Sequence, residues 1–162
     1  MGSVKKIPAS IRTRFSERNW RFIVDCDAVA EFAEQLQMDC IGVCSYGDKA
    51  IFLAESNATD HEFGHFIHRM IGFPAEFEKL YETESKNTLP ILREYSLTNS
   101  KEYFADFFRY WLENQDNDEK LDQIREAAPG TYLESTFQFP SINSTEPTLA
   151  SRRFPTTVTK SS

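Results

Sequence analysis

The chain has 162 residues, 18 basic and 25 acidic, for a net charge of −7, with 40% apolar residues and 14 Phe. That composition fits one globular domain with an aromatic core and argues against a disordered or fibrous chain. A surface of this sign repels phosphate backbones and anionic lipid, and no apolar run approaches the ~20 residues of a membrane span, so neither nucleic acid nor membrane is expected as a partner.

The opening Met1-Gly2-Ser3-Val4-Lys5-Lys6-Ile7-Pro8 lacks the apolar stretch of a secretory signal, and Lys6 stands where a myristoylation signal wants Ser or Thr. Residues 20–26 read as a strand, being rich in aromatic and β-branched types. Val29, Phe32, Ala33 and Leu36 then recur at helical spacing. Two further strands are expected at 41–46 and 49–54, joined by Gly47-Asp48 as a type II′ hairpin turn. Cys26, Cys40 and Cys44 form no C-x-x-C pair and are expected to be small buried residues flanking these strands.

A helix follows Asn57-Ala58-Thr59-Asp60, with Phe63, Phe66, Ile67 and Met70 on its buried stripe and Gly72 and Pro74 closing it. Helical character returns at 75–85 and breaks at Pro90; Asn99 or Ser100 then caps a helix whose stripe is Phe104, Phe107, Phe108 and Trp111. An acidic surface segment, 113–126, leads to Pro129-Gly130, and from about 141 the chain is Ser/Thr/Pro-rich without periodicity. The expected organisation is α+β: a small N-terminal sheet with its hairpin, then a mostly helical half, in one domain over 1–140 with a flexible tail over 141–162.

His61-Glu62-Phe63-Gly64-His65 is H-E-x-x-H on a helix. Spacing of four puts both imidazoles on one face, about 5–6 Å apart at Cβ, where both reach one ion. Two imidazoles suit Zn²⁺, and Glu62 is placed to act on a water at that ion. Thr59-x-x-Glu62 also matches a capping box, which would make Glu62 a helix-start residue. His68 shares the face at i+7, but a straight helix carries it away from the ion, so it is expected at the surface or behind the ligands.

A third ligand must be a carboxylate, because no His follows His68. Glu76, Glu78, Glu82, Glu84 and Glu94 read as solvated charges. Glu102 opens the Phe-striped helix, and Asp106 lies one turn on, able to accept the free ring N–H of a ligating His. The alternative for Glu102 is a capping carboxylate at N3 after Asn99.

The run His61-Glu62-Phe63-Gly64-His65, then Tyr95 and Glu102-Tyr103-Phe104-Ala105-Asp106, resembles the catalytic domain of anthrax lethal factor and the related secreted Pro-Pro endopeptidases. Ala128-Pro129-Gly130-Thr131-Tyr132 resembles the start of that family's last helix, and Lys6-Ile7-Pro8 its beginning, so the resemblance covers about 6–137. It implies a zincin-like metallopeptidase fold, Zn²⁺ on His61, His65 and Glu102, Glu62 as general base and Tyr95 against the reacting carbonyl. Asp106 departs from the longer Glu more usual in the family. A secreted or host-delivered enzyme follows from the resemblance; the lack of a leader leaves a cytoplasmic one open.

The expected partner is a peptide or protein substrate lying extended along strand 49–54 as an exposed edge. Other readings are a cytoplasmic peptidase of the repressor-cleaving type and a catalytically silent zinc-binding module. Glu62 argues against the last, since holding zinc does not require it.

Overall fold

The computed structural model describes residues 7–138, so the expected tail at 141–162 lies outside the described residues. The order is α1 (Ala9–Glu17), β1 (Arg21–Val24), α2 (Cys26–Leu36), β2 (Gly42–Ser45), β3 (Ala50–Leu53), α3 (Thr59–Met70), α4 (Ala75–Glu84), α5 (Ser100–Glu113), α6 (Asp118–Ala127) and α7 (Pro129–Gln138), with 3-10 turns at Ser56–Ala58, Ser85–Thr88 and Glu94–Leu97. This is the α+β arrangement read from the sequence. No helix among the described residues is long and apolar enough to cross a membrane.

The sheet has the order β1-β3-β2, with β1 parallel and β2 antiparallel to β3. The expected exposed edge at 49–54 is therefore corrected: β3 is the central strand, and its Ala50, Ile51 and Leu53 are buried. A two-stranded hairpin leaves both strands as edges, and it is β1, joined to the hairpin through α2 and parallel to β3, that covers the outer side of β3. The outer strand on the other side is β2. The turn between β2 and β3 also differs from a two-residue II′ loop. It spans residues 46–49, Lys49 takes the left-handed conformation at φ 50°, and Asp48 is tied back to the Ser45 hydroxyl at 2.6 Å.

Asp25 ends β1 and starts α2 by accepting from the Ala28 N–H at 3.0 Å, so the strand is shorter than 20–26. Cys26, expected buried, is exposed, because it occupies the first turn of α2. Two helices lie where none was expected. Pro8 precedes α1, whose Ile11 and Phe15 are buried, and Asn117 caps α6 by accepting from Lys120 N–H at 3.1 Å. The thin apolar stripe of α6, with Ile124 buried, is masked in the sequence by its charges.

Phe15 joins the sheet to the helices, its ring 4.8 Å from Phe22, 5.0 Å from Phe63 and 5.0 Å from Phe66. Full burial of each such ring contributes about 1.5–3 kcal/mol. Behind this layer α3 packs on α5, and α4 and α7 close the far side. Glu84 holds α7 in place: its carboxylate accepts from Gly130 N–H at 2.9 Å, Thr131 N–H at 2.8 Å and the Thr131 hydroxyl at 2.7 Å.

His68, expected at the surface or behind the ligands, is 2% exposed in this second layer. Its ring stacks on Phe104 at 4.5 Å and meets Phe73 edge-on at 4.8 Å. Desolvation, with smaller effects from His65 and Lys101, lowers its pKa to about 3, so it is a neutral aromatic filler.

Candidate metal centre

The geometry of the site begins with a glycine. A Cβ at Gly64 would lie 2.7 Å from Ala105 Cα, so α3 and α5 touch backbone to backbone there. Residues flanking that contact therefore face one another. His61 and His65 come from α3, one turn apart, with ring centroids 4.9 Å apart. Glu102 comes from the first turn of α5, which Asn99 caps by accepting from the Glu102 N–H at 3.0 Å. Glu102 thus occupies N3 as the capping reading had it, yet its carboxylate turns to the histidines.

Glu102 Oε2 lies 2.9 Å from His61 Nε2 and 3.2 Å from His65 Nε2. Among the described residues these three form a group whose ligand atoms all lie within 4.8 Å of one another. Tetrahedral bonds of 2.0–2.1 Å to a shared Zn²⁺ would put ligand atoms about 3.3 Å apart, so the N, N, O set fits that ion with little adjustment. Glu76, Glu78, Glu82, Glu84 and Glu94 are not in the group.

Burial disfavours the charged form of Glu102, but hydrogen bonds from His61 and His65 outweigh it and hold the carboxyl down at about 2. Burial likewise lowers His61 most, while hydrogen bonds with Asp106 and Glu102 carry it up to about 9. A metal bound here would require unprotonated ring nitrogens at His61 and His65.

Glu62 is 7% exposed and sits under β2. Thr59 makes no cap; Ala58 is the first residue of the boundary and the Thr59 hydroxyl donates to Ser56 O at 2.7 Å, which sets aside the capping-box reading. Room for Glu62 comes from Gly42, where a Cβ would stand 2.8 Å from Glu62 Cγ. Desolvation raises the Glu62 pKa against the opposing pull of His65 and His61, which is the direction a proton acceptor near neutral pH requires. Tyr95 lies on the 3-10 turn, 37% exposed, its ring 5.8 Å from that of His61. Burial, with Glu102 and Glu62, raises its pKa to about 12, so the hydroxyl keeps its proton.

Asp106 is fully buried on α5 and gathers what surrounds His61. It accepts from Arg93 N–H at 3.1 Å, Arg93 Nε at 2.8 Å, Arg93 Nη2, and Arg109 Nε at 2.9 Å. Burial raises its pKa, but contacts with His61, Arg109 and Arg93 hold it well below the carboxylate range. The distance from Asp106 Oδ1 to His61 Nδ1 is 3.6 Å, the reach expected of a side chain one methylene shorter than Glu. Arg93 Nη2 stands closer to Nδ1, at 3.2 Å.

Arg93, Arg109, Gly42 and Gly64 were not singled out in the sequence. Arg109 was recoverable from its i+3 spacing to Asp106, and Gly64 from its place inside a helix, which marks close packing. Arg93 carries no local signal.

Two hollows flank Glu62. One of about 490 Å³ is lined by Ala30, Ala33, Gly42, His61, Arg93 and Tyr95, among others. The second, about 200 Å³, includes Val43, Cys44, His65, Tyr95, Lys101 and Glu102. Gly42, Glu62, Cys40 and Tyr95 border both, so one cleft runs along β2 across the group of His61, His65 and Glu102.

A family model described as anthrax toxin lethal factor, N- and C-terminal domain, matches residues 41–134. The chain belongs to this family. The matched span runs from just before β2 into α7 and holds Gly42, His61, Glu62, His65, Arg93, Tyr95, Glu102, Asp106 and Arg109, whereas Ala30, Ala33 and Cys40 of the cleft precede it. The relation is to a toxin-type protein. Among curated proteins none matches the chain.

Proposed function

We propose that this lethal factor family member is a zinc-dependent endopeptidase acting on peptide or protein substrates. The observation that carries the reading is the convergence of His61, His65 and Glu102 ligand atoms within 4.8 Å, beside a buried Glu62 and at the floor of an open cleft. When bound, Zn²⁺ would supply a Lewis acid that brings the pKa of a water to about 7.

The chain's own groups carry the remaining steps. Glu62 takes the proton of the water that attacks the peptide carbonyl and delivers it to the departing amine. Tyr95, protonated and facing the cleft, donates to the carbonyl oxygen as negative charge develops; a donor of this kind contributes roughly 10²–10³ in rate. Asp106 orients His61, and the guanidinium groups of Arg93 and Arg109 keep Asp106 ionised.

The substrate would lie extended along β2, the outer strand bordering the cleft, in place of the central β3. Antiparallel pairing is the stronger kind and needs only a short segment. Since β2 runs from Gly42 to Ser45, an antiparallel peptide places the residues after its scissile bond at the Gly42 end.

The test is direct. Purified protein should hold about one zinc per chain and cleave members of a mixed peptide library, and Glu62→Gln should abolish cleavage while keeping the metal. Undiminished cleavage by Glu62→Gln would refute the role given to Glu62. A wild-type protein that retains no zinc after metal loading and desalting would remove the reading altogether.

A further inference from the structure

We propose that Arg93 contacts the substrate, donating through Nη1 to the main-chain carbonyl oxygen of the first residue after the scissile bond. This rests on the peptidase reading above. Three of the donors of Arg93 already face Asp106: the backbone N–H, Nε and Nη2. Among the described residues Nη1 has no partner, although the side chain is held at its other end. Its side chain is 50% exposed, against 0% for Asp106, and it lines the larger hollow at the Gly42 end of β2.

A fixed fork with its Nη1 unpaired, on a side chain lining a groove where an extended chain would run, is a ready donor for a peptide oxygen. Little ordering cost falls on binding, because the guanidinium is already immobilised by Asp106.

Charge decides which oxygen. Arg93 and Arg109 stand with the carboxylates of Asp106 and Glu113, Arg109 Nη1 donating to Glu113 at 2.7 Å, so the cluster is neutral. Asp39 and Glu62 border the same hollow. A carboxylate side chain of a substrate would meet this acidic rim without a net positive partner. A neutral carbonyl meets no such penalty, and on the Gly42 side the first such oxygen is that of the residue following the cleaved bond. Arg93 therefore reads backbone, leaving side-chain choice to the other residues of the hollow, the small Ala30 and Ala33 among them.

The experiment uses a peptide found by library cleavage and its analogue in which the amide after that first residue is an E-alkene. Both are titrated, by calorimetry or fluorescence, into zinc-loaded Glu62→Gln protein, where binding is read without turnover. The analogue should bind about tenfold more weakly, the size expected for a hydrogen bond from a charged donor. Adding Arg93→Ala should shrink the penalty to within twofold, and so should Arg93→Gln, which retains an amide donor for Asp106 but falls short of the cleft. The cycle isolates the share of the contact that runs through Arg93. Equal penalties with and without Arg93 overturn the contact while leaving the peptidase reading intact. A zinc-loaded wild-type protein that cleaves no peptide in the library overturns both.

Discussion

Replacing Gly64 by Ala tests the physical basis of the site. The new Cβ would stand 2.7 Å from Ala105 Cα and 2.9 Å from Ala105 O. Carbon atoms approach comfortably to about 3.5 Å, so α5 must recede from α3 by roughly 0.8 Å. Overpacking of that kind costs about 1–3 kcal/mol, while Ala in place of Gly inside a helix returns up to about 1 kcal/mol. The net loss of stability should thus be about 0–3 kcal/mol. The metal site has less tolerance. Glu102 lies on the same face of α5 as Ala105, one turn earlier, and moves with it, whereas ligand positions must hold to about 0.5 Å. Zinc affinity should fall about tenfold or more. Chelator competition measures the affinity, and urea unfolding of the metal-free protein measures the fold. An unchanged zinc Kd would refute the argument. So would rescue by Ala105→Gly, because the obstructing atoms are backbone and that change removes none of them.

Three further outcomes follow from the same structure. Gly42→Ala should leave zinc content intact but displace Glu62, whose Cγ would be 2.8 Å from the new Cβ; a misplacement near 1 Å should lower kcat/KM by about 10², checked beside metal analysis. His68 has a folded pKa lowered from 6.5 to about 3, so the unfolded chain binds more protons between those values and stability falls as pH drops below 6.5. At pH 5 its share of that loss is about 2 kcal/mol, and the stability difference between His68→Phe and the parent should shift by about that amount in favour of the variant from pH 7.5 to pH 5. Glu84→Ala removes the acceptor of the Gly130 and Thr131 donors and should destabilise by about 2 kcal/mol in urea unfolding, with α7 losing amide-exchange protection first.

The helices that carry the site were legible in the sequence because their signals are local. Phe63, Phe66 and Ile67, and Phe104, Phe107 and Phe108, repeat at the helical period, and a polar pair four residues apart on such a helix must share a face. Asn99 as a cap was equally readable, since its partner is three residues away. What only the tertiary structure decided is non-local. Glu102 stood out from Glu76 and Glu94 by its place at the start of a Phe-striped helix with Asp106 one turn on, but its approach to the histidines rests on the crossing of α3 and α5, which depends on Gly64 having no side chain and on Ala105 opposite it. The rank of β3 as a central strand came from its pairing with β1 after the crossover through α2, and no pattern within residues 49–54 encodes it. His68 belongs with these: a histidine on a helix face is polar by type, and only the rings of Phe73 and Phe104 closing over it make it part of the core. Periodicity is written residue by residue and specifies which face a helix buries. The partner of that face, and hence which carboxylate meets the histidines, is set by how closely two backbones pack.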